Sequence, residues 1–204
     1  MMRCGLKKDC LLLVFLAVFM VWSLSVAHAA ADPNDLKVFD MQVKTWAEEC
    51  RDAIEVKVEQ AIRAGKLTQA QCFDTFYIPM PNTYPQKYHT QYDTFMDTNI
   101  QRLLDGYLIK SDRLLYVIAV DKNGYVPTHN SKYSQKLTGN KELDTKINRT
   151  KTIFTDRTGL TAAKNTEPYL LQKYNRDTGE TAYDISVPIF INGKHWGCVR
   201  IGYN

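Results

Sequence analysis

Two cations one residue apart, Arg149 and Lys151, are the strongest candidates for chemistry in this 204-residue chain. An arginine beside a lysine can hold a carboxylate, with the guanidinium making a bidentate contact. The pair equally suits a structural ion bridge to Asp156 or Asp184. Asp184 stands in an otherwise apolar run, where a buried carboxylate is costly without a cation. Arg149 or Lys151 can supply that cation, as can an amine on a ligand. His129 lies four residues after Tyr125 and ends a predicted strand. It suits a hydrogen-bond donor into a pocket, or a group that titrates near neutral pH. It suits a clasp between strand end and loop just as well. Tyr174 and Arg176 share a face by the two-residue period of a strand. Facing inward, both line a pocket; facing outward, Arg176 and Asp177 form only a turn-stabilising pair.

No set of nucleophile, base and oxyanion donor can be assembled, so a binding protein is expected rather than an enzyme. GxSxG, HExxH, P-loop and GxGxxG strings are absent. His89, His129 and His195 show no HxH or HxxxH spacing. Neither CxxC nor CxxCH occurs, so a cysteine zinc site and covalent haem lack their signatures. No cofactor is expected; noncovalent haem on His129 or His89 is the residual option.

These residues must be positioned by an α+β fold. Met1–Cys10 carries Arg3, Lys7 and Lys8, Leu11–Val26 is almost wholly apolar, and Ala27-His28-Ala29 has a small-x-small pattern. That is the layout of a signal peptide over 1–29. Sixteen apolar residues are short for a span of about 20, so cleavage is favoured over an uncleaved anchor. The domain is expected to be exported, periplasmic or held at the inner membrane. Loss of Arg3, Lys7, Lys8 and Asp9 leaves +2 of the formal +4, too little to argue for nucleic acid. Cys50, Cys72 and Cys198 then remain; Cys50 and Cys72 sit on neighbouring predicted helices and can pair, although three buried thiols is the simpler expectation.

Residues 30–112 form the helical part. A long helix is predicted over 33–64, with apolar residues near helical spacing and Gly65 as its stop. A second begins near Leu67 with Thr68 as cap, and a third covers 88–109. Between them three prolines in seven residues (Pro79, Pro81, Pro85) exclude regular helix. Residues 113–204 form the sheet part and make one structural domain with 30–112. Strands are predicted at Leu114–Val120, Tyr125–Asn130, Leu170–Asn175, Thr181–Ile191 and His195–Tyr203, with Asn123-Gly124 and Asn192-Gly193 as hairpin turns. Residues 131–168 cross over between the second and third strands. A small-ligand pocket between crossover and sheet follows from this layering.

Several strings carry a resemblance when taken in order: Tyr77-Ile78-Pro79-Met80-Pro81-Asn82-Thr83-Tyr84-Pro85, Asp121–Asn130, Asn148-Arg149-Thr150-Lys151, Ile153–Gly159, Tyr174–Glu180 and His195-Trp196-Gly197. Over residues 33–203 the chain resembles the extracytoplasmic PAS-like (single Cache) sensor region of methyl-accepting chemotaxis proteins. The resemblance implies a five-stranded antiparallel sheet, a long N-terminal helix and a small organic acid as ligand. With the residue readings above, the expected ligand-binding set is Arg149, Lys151, Tyr125, His129, Tyr174, Arg176 and Asp184. It also implies a homodimer through the long helix. The chain ends at Asn204 without the transmembrane and signalling regions of such receptors, so a stand-alone sensor or a piece of a receptor is expected. The rival is a periplasmic partner that docks on a membrane receptor or kinase; a haem or redox sensor is the third option.

Overall fold

A computed structural model describes residues 33–175 and 180–204. The expected export segment, 1–29, lies outside the described residues, as does Arg176 with its neighbour Asp177. The body Pro33–Asn204 is one compact α+β unit.

Helix α1 runs Pro33–Arg63. Val43, Ala47, Cys50, Ile54, Val58 and Ala61 recur every three or four residues, and all are buried. This is the one-sided stripe by which a helix docks on a sheet. The helix stops where Gly65 takes a positive φ of 69°, its amide donating to the Ile62 carbonyl. Thr68 caps the short α2 (Gln69–Cys72) in a reciprocal capping box with Gln71.

The proline-rich segment is more ordered than its composition implies. Strand β1 (Ile78–Pro79) pairs with β2 (Tyr88–His89) in a small hairpin. The third predicted helix begins later than expected and is split into α3 (Asp93–Asn99) and α4 (Gln101–Leu108).

The main sheet is antiparallel and contains four strands: β3 (Leu114–Asp121), β6 (Leu170–Asn175), β7 (Thr181–Ile191) and β8 (Lys194–Tyr203), in spatial order β3-β8-β7-β6. The strand expected at 125–130 does not join it. Strand β4 is only Tyr125–Val126 and pairs with β5 (Thr152–Ile153) in the crossover. Pro127 has no N–H with which to extend a ladder. The Asn130 side chain instead reaches the β3 backbone, where its Oδ1 accepts from the Val117 N–H at 2.8 Å. Gly124 permits the detour. A Cβ there would lie 2.2 Å from the Phe154 carbonyl oxygen, so no larger residue lets the crossover pack on the turn.

Strand alternation gives the sheet two faces. Ile185, Val187, Ile189, Val199, Ile201 and Tyr203 belong to the larger core, which α1 covers. The opposite face carries Ile118, Val120 and Cys198, which pack with Val126, Ala162 and Ala163. Helix α6 (Arg157–Lys164) covers that face, capped by Asp156, whose Oδ1 accepts from the Gly159 N–H at 2.8 Å. A 3-10 turn (Ser131–Tyr133) and α5 (Lys141–Ile147) complete the crossover. Cys50, Cys72 and Cys198 are all buried free thiols.

Candidate functional site

Between the α6 face of the sheet and the crossover lies a cavity of about 510 Å³. The sheet contributes Tyr116, Ile118, Tyr174 and Arg200 to its wall; the crossover contributes Tyr133, Arg149, Phe154 and Arg157. His129 lies between the two. A second void, under α1, holds about 10 Å³ and is lined by core residues such as Ile54, Tyr92 and Ile189. That is roughly room for one water, in wholly apolar surroundings, and it is a packing gap.

The cavity floor is a buried ion pair. Arg200 is 6% exposed and Asp184 is fully buried. The Arg200 Nη2 lies 2.9 Å and Nε 3.1 Å from the Asp184 Oδ2. The Tyr116 hydroxyl donates to the same carboxylate oxygen at 2.6 Å. A carboxylate taken out of water needs this level of satisfaction. Burial first, and the Asp184 charge second, push the Tyr116 phenol well above its ordinary pKa, so it stays a donor. Because Arg200 engages Asp184 through Nε and Nη2, its Nη1 has no hydrogen-bond partner among the described residues. Gly202 makes room for Tyr116: a Cβ there would stand 2.3 Å from the ring.

His129 is 3% exposed. Its Nδ1 accepts from the Asn130 N–H at 2.8 Å, which places the ring proton on Nε2. Burial, and then the positive charges of Arg149, Lys132 and Lys87, lower its pKa to about 3. The imidazole is therefore neutral at physiological pH, and its Nε2–H has no partner among the described residues. The ring packs edge-on against Tyr133, with centroids 4.9 Å apart.

The remaining candidates separate. Arg149 is exposed at the cavity, its guanidinium 5.4 Å from the Phe154 ring centre. Lys151 adopts a positive φ of 57° and turns away. Its Nζ lies 2.7 Å from the Asp97 Oδ2 and donates to the Pro127 carbonyl. Alternate residues thus do not act together here. Tyr125 also lies elsewhere: it is buried under the β1–β2 hairpin, its hydroxyl 2.9 Å from the Asp93 Oδ1. Tyr174 lines the cavity, with its hydroxyl 3.5 Å from that of Tyr116. Asp184 sits behind the wall, held by Arg200 rather than by Arg149 or Lys151.

Sequence reasoning missed Arg200, Arg157, Tyr116, Tyr133 and Phe154. Arg200 carried a usable signal, since it is the lone cation inside the apolar string Cys198-Val199-Arg200-Ile201. The other four had no mark that separates them from ordinary surface or core residues.

Among the described residues the cavity offers three guanidinium groups, one neutral imidazole N–H and several phenols. The carboxylates described there are Asp156, committed to capping α6, and, behind the wall, Asp184, committed to Arg200. The arrangement favours an anion with hydrogen-bond acceptors. Among the described residues no group of three or more His, Cys, Asp or Glu side chains is placed to hold a metal ion, and no helix is long and apolar enough to cross a membrane.

No family model matches the chain, and no curated protein matches it. Among solved structures it is similar to an extracellular ligand binding receptor from Desulfohalobium retbaense DSM5692, with 11% identity and a TM-score of 0.37. The match covers 80% of this chain and 25% of that one, so the chain spans about a quarter of the receptor's length.

Proposed function

We propose that this domain is an exported sensor that binds a small organic anion in the cavity between sheet and crossover. The observation that carries this is the set of donors without a hydrogen-bond acceptor among the described residues, around about 510 Å³ of space: Arg149, Arg157, the Arg200 Nη1 and the His129 Nε2–H. A rival docking protein calls for a collapsed pocket, and the open cavity speaks for the sensor. Binding draws the crossover toward the sheet. Transmission then runs through β8, where Arg200 faces the ligand while its neighbours Val199 and Ile201 are buried in the core beneath α1. A ligand shifts that equilibrium only by its differential affinity for the two states. The outward side of α1, with Val38 67% and Met41 71% exposed, is the surface we assign to a second copy or a receptor partner.

The test is a thermal-shift screen with organic acids, amino acids, amines and purines. A ligand at 100 times its dissociation constant stabilises by roughly 2.7 kcal/mol. Arg149→Ala should leave the unliganded stability within about 0.5 kcal/mol of the parent, as expected for an exposed residue, and remove the acid-induced shift. Equal shifts in parent and variant would take Arg149 out of the site. A screen in which only amines act would end the anion reading.

A further inference from the structure

The cavity's size and walls say more about its occupant than its charge alone. At about 510 Å³ the cavity is many times the roughly 30 Å³ that one molecule takes in liquid water. A two- or three-carbon acid would fill only a small part of it and leave most of the wall wet. The wall itself is aromatic. Tyr116 and Tyr174 rise from the sheet, and Tyr133 and Phe154 belong to the crossover. Rings in a protein interior ordinarily meet other rings edge-on or offset, as His129 meets Tyr133 and Tyr116. Phe154 and Tyr174 stack on no other ring among the described residues; Tyr174 reaches Tyr116 only through its hydroxyl, at 3.5 Å, and Phe154 packs against the Ala162–Ala163 cluster with the Arg149 guanidinium 5.4 Å from its ring centre. Both rings line the cavity, Phe154 from the crossover and Tyr174 from the sheet. Among the described residues, three arginines stand at the same place against two aspartates, both of which already have partners.

We propose that the occupant is a planar aromatic monocarboxylate, its ring between Phe154 and Tyr174 and its acid group on the Arg149, Arg157 and Arg200 donors. This rests on the anion-binding reading above and narrows it. The His129 Nε2–H, which is 97% shielded with its ring, supplies a neutral donor for a ring substituent or the second carboxylate oxygen.

Isothermal titration of the full chain tests it, using benzoate, phenylacetate and indole-3-acetate beside acetate, propionate and pyruvate, with benzamide as the uncharged control. Aromatic acids should bind roughly tenfold or more tighter than the aliphatic acids, from two added ring contacts. Benzamide should bind at least about tenfold more weakly than benzoate. Phe154→Leu keeps apolar volume against Ala162 and Ala163 and should erase most of the aromatic preference, read as the ratio of benzoate to acetate affinity. Aliphatic acids that bind as tightly as aromatic ones would overturn the inference and leave the anion site standing, as would an unchanged preference in Phe154→Leu. Benzamide equal to benzoate, or no binding by any acid, would remove both.

Discussion

Removing the positive partner from the cavity floor gives the sharpest test of the site's construction. Arg200→Met replaces the guanidinium by an unbranched apolar chain that ends about where Nε stood and leaves Asp184, fully buried, with the Tyr116 hydroxyl at 2.6 Å as its remaining side-chain partner among the described residues. Breaking a buried pair from one side costs about 3–5 kcal/mol, because the surviving charge is uncompensated. For a domain of this size each kcal/mol lowers Tm by about 2–4 °C, so a fall of roughly 6–20 °C is expected. Adding Asp184→Leu removes the second charge. The double variant should return to within about 1 kcal/mol of the parent, since paired charges and apolar replacements of similar volume are often close in stability. Urea denaturation of all four species closes the cycle. A single variant that costs less than about 1 kcal/mol, or a double variant whose losses simply add, would refute the claim that the pair is buried and coupled.

Two further perturbations follow from the same walls. His129 has a folded-state pKa near 3 because it is buried among cations, against about 6.5 in an unfolded chain. The unfolded state therefore binds the extra proton between those values, so stability is full above pH 6.5 and falls as the pH drops toward 3, by at most about 1.4 kcal/mol per pH unit. In urea titrations at pH 7, 5.5 and 4, His129→Gln should lose that slope relative to the parent; identical slopes would place His129 in water. Gly202→Ala puts a Cβ about 2.3 Å from the Tyr116 ring. It should cost about 1–3 kcal/mol by overpacking and weaken any anion whose site depends on Tyr116, whereas full stability and unchanged binding would mean that the ring moves freely.

The elements were largely legible because each rests on local chemistry. The α1 stripe, the Gly65 stop, the Thr68 cap and the Asn192-Gly193 turn all follow from residue type and spacing. That turn takes positive φ at both central residues, 48° and 75°, as a tight two-residue hairpin requires. What failed was non-local. Asn123-Gly124 resembles a hairpin turn equally well, yet Pro127 and the Asn130 side chain send the following chain to β5 instead of β3. Lys151 matched Arg149 in type and spacing, but its positive φ and the Asp97 carboxylate on α3 carry it out of the cavity.

The floor pair failed for a reason of parity. From the Asn192-Gly193 turn, Ile191 pairs with Lys194 and Phe190 with His195. Strict continuation would set Asp184 opposite Ile201 and Arg200 opposite Ile185, so the two charges would point to opposite faces. Arg200 would then lie under α1 with no acid, and Asp184 would face α6 with no cation. The register instead slips by one residue, and Ile189 pairs with Gly197. Trp196 is the extra residue; its ring joins the α1-side core and its Nε1 donates to the Cys72 carbonyl at 2.9 Å. Past that bulge Ser186 stands opposite Arg200 and Asp184 opposite Gly202, so both charges face the cavity and meet diagonally. One large residue seeking the core thus decides which face receives the guanidinium. No period read along a single strand contains that information, because the bulge depends on a tryptophan packing against Tyr92 of α3's entry and Cys72 of α2.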